Sequence, residues 1–230
     1  MSAPLPLVAA ESRFEAAPRS LTERAYELLV EKITRLELPP GALLVEKNLM
    51  EQLQIGRTPI REAMQRLAIE GLVQHRLNRG MFVSEISALG VQQIYEFRIL
   101  VDGYAARLAA ARASEKQMRD LRGQFSLIAS ATEEKDLNAF VQADRGFYAV
   151  LASAAQNVYL AEVIPRIFNL HLRLWFFISE RRGSWIEIAR AHQAMADSVS
   201  RAIGRRDQEE AELAIKAYVS QRHRDIRELL

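Results

Sequence analysis

The chain has 230 residues, of which 49% are hydrophobic and 26% charged, enough apolar residues for one large globular domain or two smaller ones. It has no cysteine, which excludes disulfides and thiolate metal sites and suits a reducing cytoplasm, and no apolar run approaches the roughly 18–20 residues that span a membrane. The net charge is only +2, but residues 57–80 hold five arginines and two glutamates, a local charge of +3 that favours a polyanionic partner at this segment.

The first segment and the first helix are marked by composition and by a capping pattern. Residues 1–18 hold three prolines among small residues without any period, and we interpret them as a flexible tail that carries no signal peptide. Ser20 with Glu23 three residues later is the pattern of a capping box. The apolar residues from Leu21 to Leu36 then follow helical spacing, which predicts the first helix.

A helix-turn-helix is predicted next. A short helix over about residues 46–53 is followed by a tight turn that contains a glycine, and then by a second helix. We place the N-cap of this second helix at Thr58, with Pro59 at its first helical position. Gly71 suits the position just past its end, where a left-handed backbone is usual.

The second helix has two different faces. Ile60, Met64 and Leu67 recur at helical spacing and predict a face that packs on a core. Arg57 and Arg61 lie four residues apart on another side, close to the N-terminal end. This arrangement is typical of a helix that reads the major groove of DNA, and the alternative is a solvated surface helix.

The segment after the second helix changes its period. Residues 72–76 and 81–84 are predicted as two short strands around a turn that contains asparagine and glycine. Arg79 and Gly80 lie at the tip, where they can reach a phosphate or the minor groove, and the alternative is a hairpin with a solvated charged tip. Residues 19–84 are therefore predicted to form a winged helix-turn-helix DNA-binding domain.

Four blocks of this segment, in their order and spacing, resemble the winged helix of GntR-type bacterial transcription regulators. The blocks are Leu38–Gly41, Leu53–Ala63, Leu67–Val73 and Arg79–Val83. The resemblance covers about residues 20–84 and implies double-stranded DNA as the partner. Gly56 departs from the family, which often has serine there. The implied DNA-contacting residues are Lys47 (from the resemblance alone), Arg57, Thr58, Arg61, Arg79 and Gly80.

Residues 85–230 have long helical periods and few glycines or prolines, which predicts an all-helical bundle of roughly six or seven helices. Pro165 is expected to kink one of these helices or break it in two. The fold class is therefore mainly α, with a winged helix-turn-helix before a helical bundle. Four N-caps are predicted, at Ser87, Ser114, Asp136 and Asp207, and a further helix is expected to start at Ser184.

The second half also carries a resemblance. Its segments Tyr95–Asp102, Ala105–Ala113, Asp144–Tyr148, Asn157–Leu160 and Ala202–Asp207 resemble the FadR-like branch of that family. In that branch the C-terminal FCD-type domain is a helical bundle for effector binding and dimerisation. The resemblance implies a homodimer and a metal site made of one aspartate and three histidines. Asp144 and His192 match this set, but Tyr148 and Tyr218 stand at histidine positions.

One interpretation of the bundle is a metal-free pocket for an effector, a small carboxylate-containing metabolite, since arginine binds carboxylates through two parallel hydrogen bonds. For Arg98 the alternative is a structural ion pair with Asp102, four residues further along the helix. His171 and His75 are assigned no role. The candidate effector-binding residues are Arg98, Asp144, Tyr148, Arg173, His192 and Tyr218.

The other interpretation is a divalent metal, zinc or nickel, held by Asp144 and His192 in a metal-dependent enzyme or a metal-sensing regulator. Two ligands are too few for such a site, and a neutral tyrosine is a weak ligand. The chain shows no sequence motif of a serine hydrolase, a zinc protease, a phosphate loop or a dinucleotide-binding fold.

A helical scaffold whose first domain binds protein is a third interpretation. We favour a cytoplasmic, homodimeric regulator that is not an enzyme. Each winged helix reads half of a palindrome, and the effector changes DNA affinity.

Overall fold

The computed structural model describes residues 20–230 and shows nine helices and one three-stranded sheet in that range. The segment 1–18, interpreted above as a flexible tail, lies outside the described residues. The elements are α1 (Leu21–Thr34), β1 (Leu43–Leu44), α2 (Glu46–Leu53), α3 (Arg57–Ile69), β2 (Val73–Arg76), β3 (Gly80–Val83), α4 (Ala88–Arg112), α5 (Glu115–Glu134), α6 (Leu137–Ala154), α7 (Val158–Arg182), α8 (Ile186–Gly204) and α9 (Gln208–Arg227).

The chain builds two apolar cores, and the prediction of a mainly α fold is confirmed. The first core joins α1, α2 and α3 to the small sheet, with Leu29, Ile60 and Leu67 fully buried. The second core lies among α4 to α9, where Phe140 and Phe147 are fully buried. Within the described residues, no helix has the length and apolar character needed to cross a membrane.

The start of α3 differs from the prediction. Gly56 is the N-cap and Arg57 the first helical residue, so the N-cap predicted at Thr58 is wrong. Thr58 is an exposed residue of the first turn, and Pro59 is the third helical residue. Proline is tolerated there because the first four backbone N–H groups of a helix have no intrahelical partner.

The wing is a three-stranded antiparallel sheet in the order β1-β3-β2. Val73 pairs with Val83 and Arg76 with Gly80, so the hairpin predicted from the sequence is present. Strand β1, which pairs with β3, was not predicted because two residues are too few to show an alternating pattern. Asn78 has a positive φ of 57° at the tip, as its place in a tight turn requires.

Four helices of the bundle begin where their capping residues predict, but the start expected at Ser184 is wrong, since α8 begins at Ile186 with Trp185 as an N-cap that makes no side-chain hydrogen bond. Ser87, Ser114, Asp136 and Asp207 each accept a hydrogen bond from a backbone N–H in the first turn of the helix that follows. Helix α7 runs unbroken through Pro165, so a break there is wrong. Proline removes one backbone donor, while the neighbouring residues Ile164 and Ile167 stay buried in the packed interior.

A line of hydrogen bonds joins the two cores, and we call it the interdomain chain. Arg145 on α6 donates to Oδ1 of Asn169 on α7 (3.0 Å), and Nδ2 of Asn169 donates to the Tyr26 hydroxyl on α1 (3.2 Å). That hydroxyl donates to Glu70 at the end of α3 (2.7 Å). Arg66 on α3 donates to the other Glu70 oxygen and lies 3.5 Å from the Tyr26 ring centroid. These hydrogen bonds connect the end of α3 to helices α6 and α7 of the bundle.

Replacing glycine by alanine is predicted to change the free energy of unfolding in opposite directions at two positions. Gly71 has φ +82°, where an L-residue is strained, so Gly71→Ala should lower the free energy of unfolding by about 1 kcal/mol. Gly123 lies exposed in the interior of α5, with open space around its missing Cβ among the described residues. Gly123→Ala should raise the free energy of unfolding by about 0.5–1 kcal/mol.

Urea unfolding followed by circular dichroism measures both variants beside the wild type. Gly123→Ala is the matched control, because both substitutions add one methyl group. Equal effects of the same sign would contradict the assigned backbone conformations.

Candidate DNA-binding surface and buried polar cluster

The N-terminal end of α3 presents two arginines to solvent. The side chains of Arg57 and Arg61 are 68% and 60% exposed, and both approach the carboxylate of Glu46 on α2, at 3.7 and 3.3 Å. Lys47, next to Glu46, is also exposed and lies 4.0 Å from Glu51. Exposed ion pairs of this kind hold side chains weakly, so all three cations are free to move to another anion.

The wing tip adds an exposed cation to the same part of the molecule. Arg79 and Gly80 are both exposed, and Gly80 has a φ of +97° that lets the backbone turn into β3. Within the described residues, the Arg79 side chain has neither a hydrogen bond nor an ion pair. The neighbouring Arg76 is engaged instead, since it lies over the ring of Phe82 and 3.5 Å from Glu85.

Polar side chains from five helices meet in the interior of the bundle. Each is less than a tenth exposed, and we call the group the buried polar cluster. Its members are Tyr95, Arg98 and Asp102 on α4, Asp144 and Tyr148 on α6, His171 on α7, His192 on α8, and Tyr218 and Arg222 on α9.

Arg98 is the central charge of the cluster. It is 1% exposed, donates through Nε to Asp102 (2.9 Å) and through a terminal nitrogen to the Tyr148 hydroxyl (2.8 Å). The ion pair with Asp102 is therefore present. Burial raises the pKa of Asp102 and opposes the pull of Arg98. Burial also opposes the charge of Arg98, but Asp102 and Tyr148 outweigh it and raise its pKa.

Asp144 and His192 meet on the other side of Tyr148. Nε2 of His192 lies 2.9 Å from Oδ1 of Asp144, although the two are not oriented as a hydrogen bond. The Tyr218 ring meets the His192 ring edge to face, with centroids 5.2 Å apart. The structure thus brings five of the six predicted effector residues together, with His192 beside Asp144.

Several buried atoms of the cluster have no hydrogen-bond partner within the described residues. They are the Tyr95 and Tyr218 hydroxyls, Nη1 of Arg98, Oδ1 of Asp102, Oδ1 of Asp144, both ring nitrogens of His171, Nε2 of His192 and Nε of Arg222. Leaving one buried polar atom without a partner costs about 1–3 kcal/mol. A concentration of such atoms in one place indicates a site for a polar ligand or ordered water.

Arg173, predicted to line the same pocket, lies elsewhere, and that prediction is wrong. It donates to the backbone carbonyl of Ser84 in the linker between the wing and α4. The cause is the helical rotation: His171 faces the cluster, and two residues turn a helix by about 200°. Arg173 therefore leaves α7 on nearly the opposite side.

Sequence reasoning missed three members of the cluster: Tyr95, His171 and Arg222. For His171 a signal existed, because it is a polar residue inside a helix that is apolar on nearly all sides. Tyr95 and Arg222 follow ordinary helical spacing on α4 and α9, and their burial depends on how these helices pack.

The cluster does not fit a zinc or nickel site. Asp144 and His192 contact each other, while the two other expected corners are Tyr148 and Tyr218. Burial raises the pKa of both phenols far above neutrality, so they stay protonated and are poor ligands. Arg98, which donates to Tyr148, also places a positive charge where a cation would have to bind. Among the described residues there is no group of three or more histidines and carboxylates placed to hold a metal.

The models of two known families match this chain. The family described as "Bacterial regulatory proteins, gntR family" matches residues 21–83, and the FCD domain matches residues 93–221, more than half of the chain. The chain belongs to the GntR family. The resemblance seen in the sequence is confirmed, and this GntR protein is a DNA-binding transcription regulator with an FCD domain.

Curated relatives carry regulator names. The Nta operon transcriptional regulator of Aminobacter aminovorans is 31% identical over 63% of this chain and 69% of its own length. The HTH-type transcriptional repressor RspR of Escherichia coli K12 is 31% identical over 59% of each chain, so the match spans less than two thirds of that protein. The solved structure of E. coli McbR/YncC covers 92% of this chain and 99% of its own, with a TM-score of 0.76 and 20% identity, a likeness of fold.

His171 predicts a pH dependence of stability. Burial, with Arg98 and His192 nearby, holds its pKa in the folded protein well below the ordinary value. The unfolded chain takes up this proton as the pH falls through about 6.5, so the folded state loses up to about 1.4 kcal/mol per pH unit below that point. Urea unfolding at pH 7.5 and 5.5 measures the loss.

His171→Leu should remove this part of the acid sensitivity while keeping an apolar side chain in the interior. His75→Leu is the control, because His75 is exposed on β2 and its replacement should leave the pH dependence as in the wild type. Identical pH dependence in the wild type and His171→Leu would show that His171 is not held neutral by burial.

Proposed function

We propose that this GntR regulator binds a palindromic operator as a homodimer and changes its DNA affinity when a small polar carboxylate binds the buried polar cluster. The observation that carries the effector half is the set of buried polar atoms without partners around Arg98. The DNA half rests on the family and on the exposed cations of α3 and the wing. Such a regulator acts in the cytoplasm, where bacterial DNA lies.

Arg57 and Arg61 are the proposed readers of base edges. They lie at the N-terminal end of α3, the end that enters the major groove in helix-turn-helix proteins. Their guanidinium groups can leave Glu46 for the two acceptors of a guanine. Lys47, Thr58, Arg79 and the Gly80 backbone are proposed phosphate contacts, which set the register on DNA without reading sequence.

The chemistry of the cluster selects the effector class. Nη1 of Arg98 and Nε of Arg222 are free donors with positive charge, which suit a carboxylate. Oδ1 of Asp102 is a free acceptor, and Tyr218 and His171 can each donate or accept. A carboxylate that also carries hydroxyl or amino groups satisfies both sets. We therefore propose a small hydroxy or amino acid, and not a purely apolar ligand.

The interdomain chain is the proposed connection through which effector binding in the cluster changes the position of α3. Asp144 of the cluster is adjacent to Arg145, whose hydrogen bonds continue through Asn169 and Tyr26 to Glu70, directly after the last turn of α3. A shift of α6 on ligand binding would change this line and with it the position of α3. Coupling of two sites in this way is usually worth about 1–3 kcal/mol.

An apolar stripe on α4 supports the homodimer. Leu89, Phe97, Leu100 and Tyr104 are exposed at helical spacing on one side of this 25-residue helix. Exposed large apolar side chains that share one face favour a protein partner. A second copy of the chain is the partner that a palindromic operator requires, because a two-fold site matches a two-fold protein.

The DNA half is tested by selecting bound sequences from a random pool of duplexes with the full chain. The wild type should enrich a palindrome, and Arg57→Ala should bind it about 1–3 kcal/mol more weakly and lose preference at one position of each half-site. Arg119→Ala, which removes an exposed arginine from α5, is the control and should bind as the wild type does. Unchanged affinity and preference in Arg57→Ala would remove Arg57 from the base readers.

The effector half is tested with the selected operator and a panel of small hydroxy, amino and keto carboxylates. One compound should change operator affinity by about 5- to 150-fold. Tyr26→Phe removes the hydroxyl that links Asn169 to Glu70, so the compound should still bind but shift operator affinity less. Tyr159→Phe, an exposed tyrosine at the start of α7 to which no role is assigned, is the control. An undiminished shift in Tyr26→Phe would show that coupling takes another route.

A further inference from the structure

The linker between the wing and α4 borders a cleft that the proposed effector site does not use. It has a volume of about 370 Å³ and is walled by residues 84–87 of the linker, the first turns of α4 and the middle of α7. Gly71, the residue after α3, also lines it, so both halves of the chain contribute to the walls.

Arg173 brings an unneutralised charge to this cleft. Arg173 is 3% exposed and donates to the Ser84 carbonyl. Among residues 20–230, its Nε has no hydrogen-bond partner and no carboxylate lies within ion-pair distance of its guanidinium. The nearby Glu85 carboxylate pairs with Arg76 of the wing instead. Burial lowers the pKa of Arg173 to about 10 despite the opposing effect of Glu85, so the group is charged at neutral pH.

The N-terminus of α4 faces the same space. Ser87, its N-cap, and Gly90 in its first turn both line the cleft. The Ser87 hydroxyl accepts from the Gly90 N–H, and the dipole of this 25-residue helix places partial positive charge at its start, which favours an anion nearby. The remaining walls are mostly apolar, formed by Ile86, Ile94 and Leu174 among others.

We infer that this cleft is a second ligand site, distinct from the buried polar cluster, which binds a small organic carboxylate with a short apolar stem. The carboxylate takes the free side of the Arg173 guanidinium, as arginine forks do with carboxylates. The apolar walls take the stem, which favours an organic acid over inorganic phosphate. Because its walls come from the linker and from both halves, an occupied site holds the winged helix against the bundle.

The test uses the full chain, without DNA, and three probes: sodium butyrate, hexanoate and benzoate. Ligand-observed NMR titration should show saturable binding of at least one acid and none of its neutral amide. Arg173→Gln should weaken that binding by at least about tenfold, the usual loss for a hydrogen-bonded charge. Arg166→Gln is the matched control, since it removes the same charge from an exposed position on α7 and should bind as the wild type does.

A second variant fills the cleft without touching its charge. Ile94→Trp places a larger side chain in the cleft and should abolish binding while Arg173 remains. This variant decides the question if Arg173→Gln does not fold by circular dichroism. Saturable binding of none of the three acids would overturn the inference, as would equal affinity in wild type, Ile94→Trp and any folded Arg173→Gln.

The experiment is independent of the proposed effector site. Tyr148→Phe, in the buried polar cluster, should leave binding of these apolar acids unchanged. Loss of binding in Tyr148→Phe with retention in Ile94→Trp would place the acid in the cluster and overturn the second site. Operator affinity is not read, so a failure here leaves the DNA and effector hypotheses standing.

Discussion

A buried arginine is the constraint around which the helical half is arranged. Arg98 lies in the interior of the bundle, where a charge is stable only with partners, and Asp102 and Tyr148 supply them. These partners leave Nη1 of Arg98 and Oδ1 of Asp102 unused. Apolar residues would fill the same space without this cost. The unpaired polar atoms therefore support the proposed effector site, and a ligand that forms hydrogen bonds with them stabilises the folded protein as it binds.

The contact between the two halves is polar as well as apolar, and its hydrogen bonds make it sensitive to the relative position of the halves. Leu170 of α7 packs against the first core, and beside it the interdomain chain connects Arg145 to Glu70 through Asn169 and Tyr26. Hydrogen bonds depend on angle and distance more steeply than apolar contacts do. The proposed coupling uses this property: a small shift of α6 would change the hydrogen bonds that reach the end of α3, while the apolar contact keeps the halves together.

Two residues of α7 that are two positions apart contact different parts of the molecule. His171 faces the buried polar cluster, and Arg173 faces the linker. The cleft walled by the linker, the start of α4 and the middle of α7 lies on the Arg173 side. Helix α7 consequently borders both the proposed effector site and the linker, and it also supplies Asn169 to the interdomain chain.

The sequence by itself determined the elements, because caps, periods and turn residues are local. Ser87, Ser114 and Asp207 start helices where their side chains predict, and the wing hairpin follows its turn residues. Only the tertiary structure decided which polar residues meet. The sequence placed Arg98 and Arg173 in one pocket, whereas the packing put Arg98 in the interior of the bundle and Arg173 against the linker. Burial of Tyr95, His171 and Arg222 depends on how five helices cross, and no spacing along one helix records that geometry.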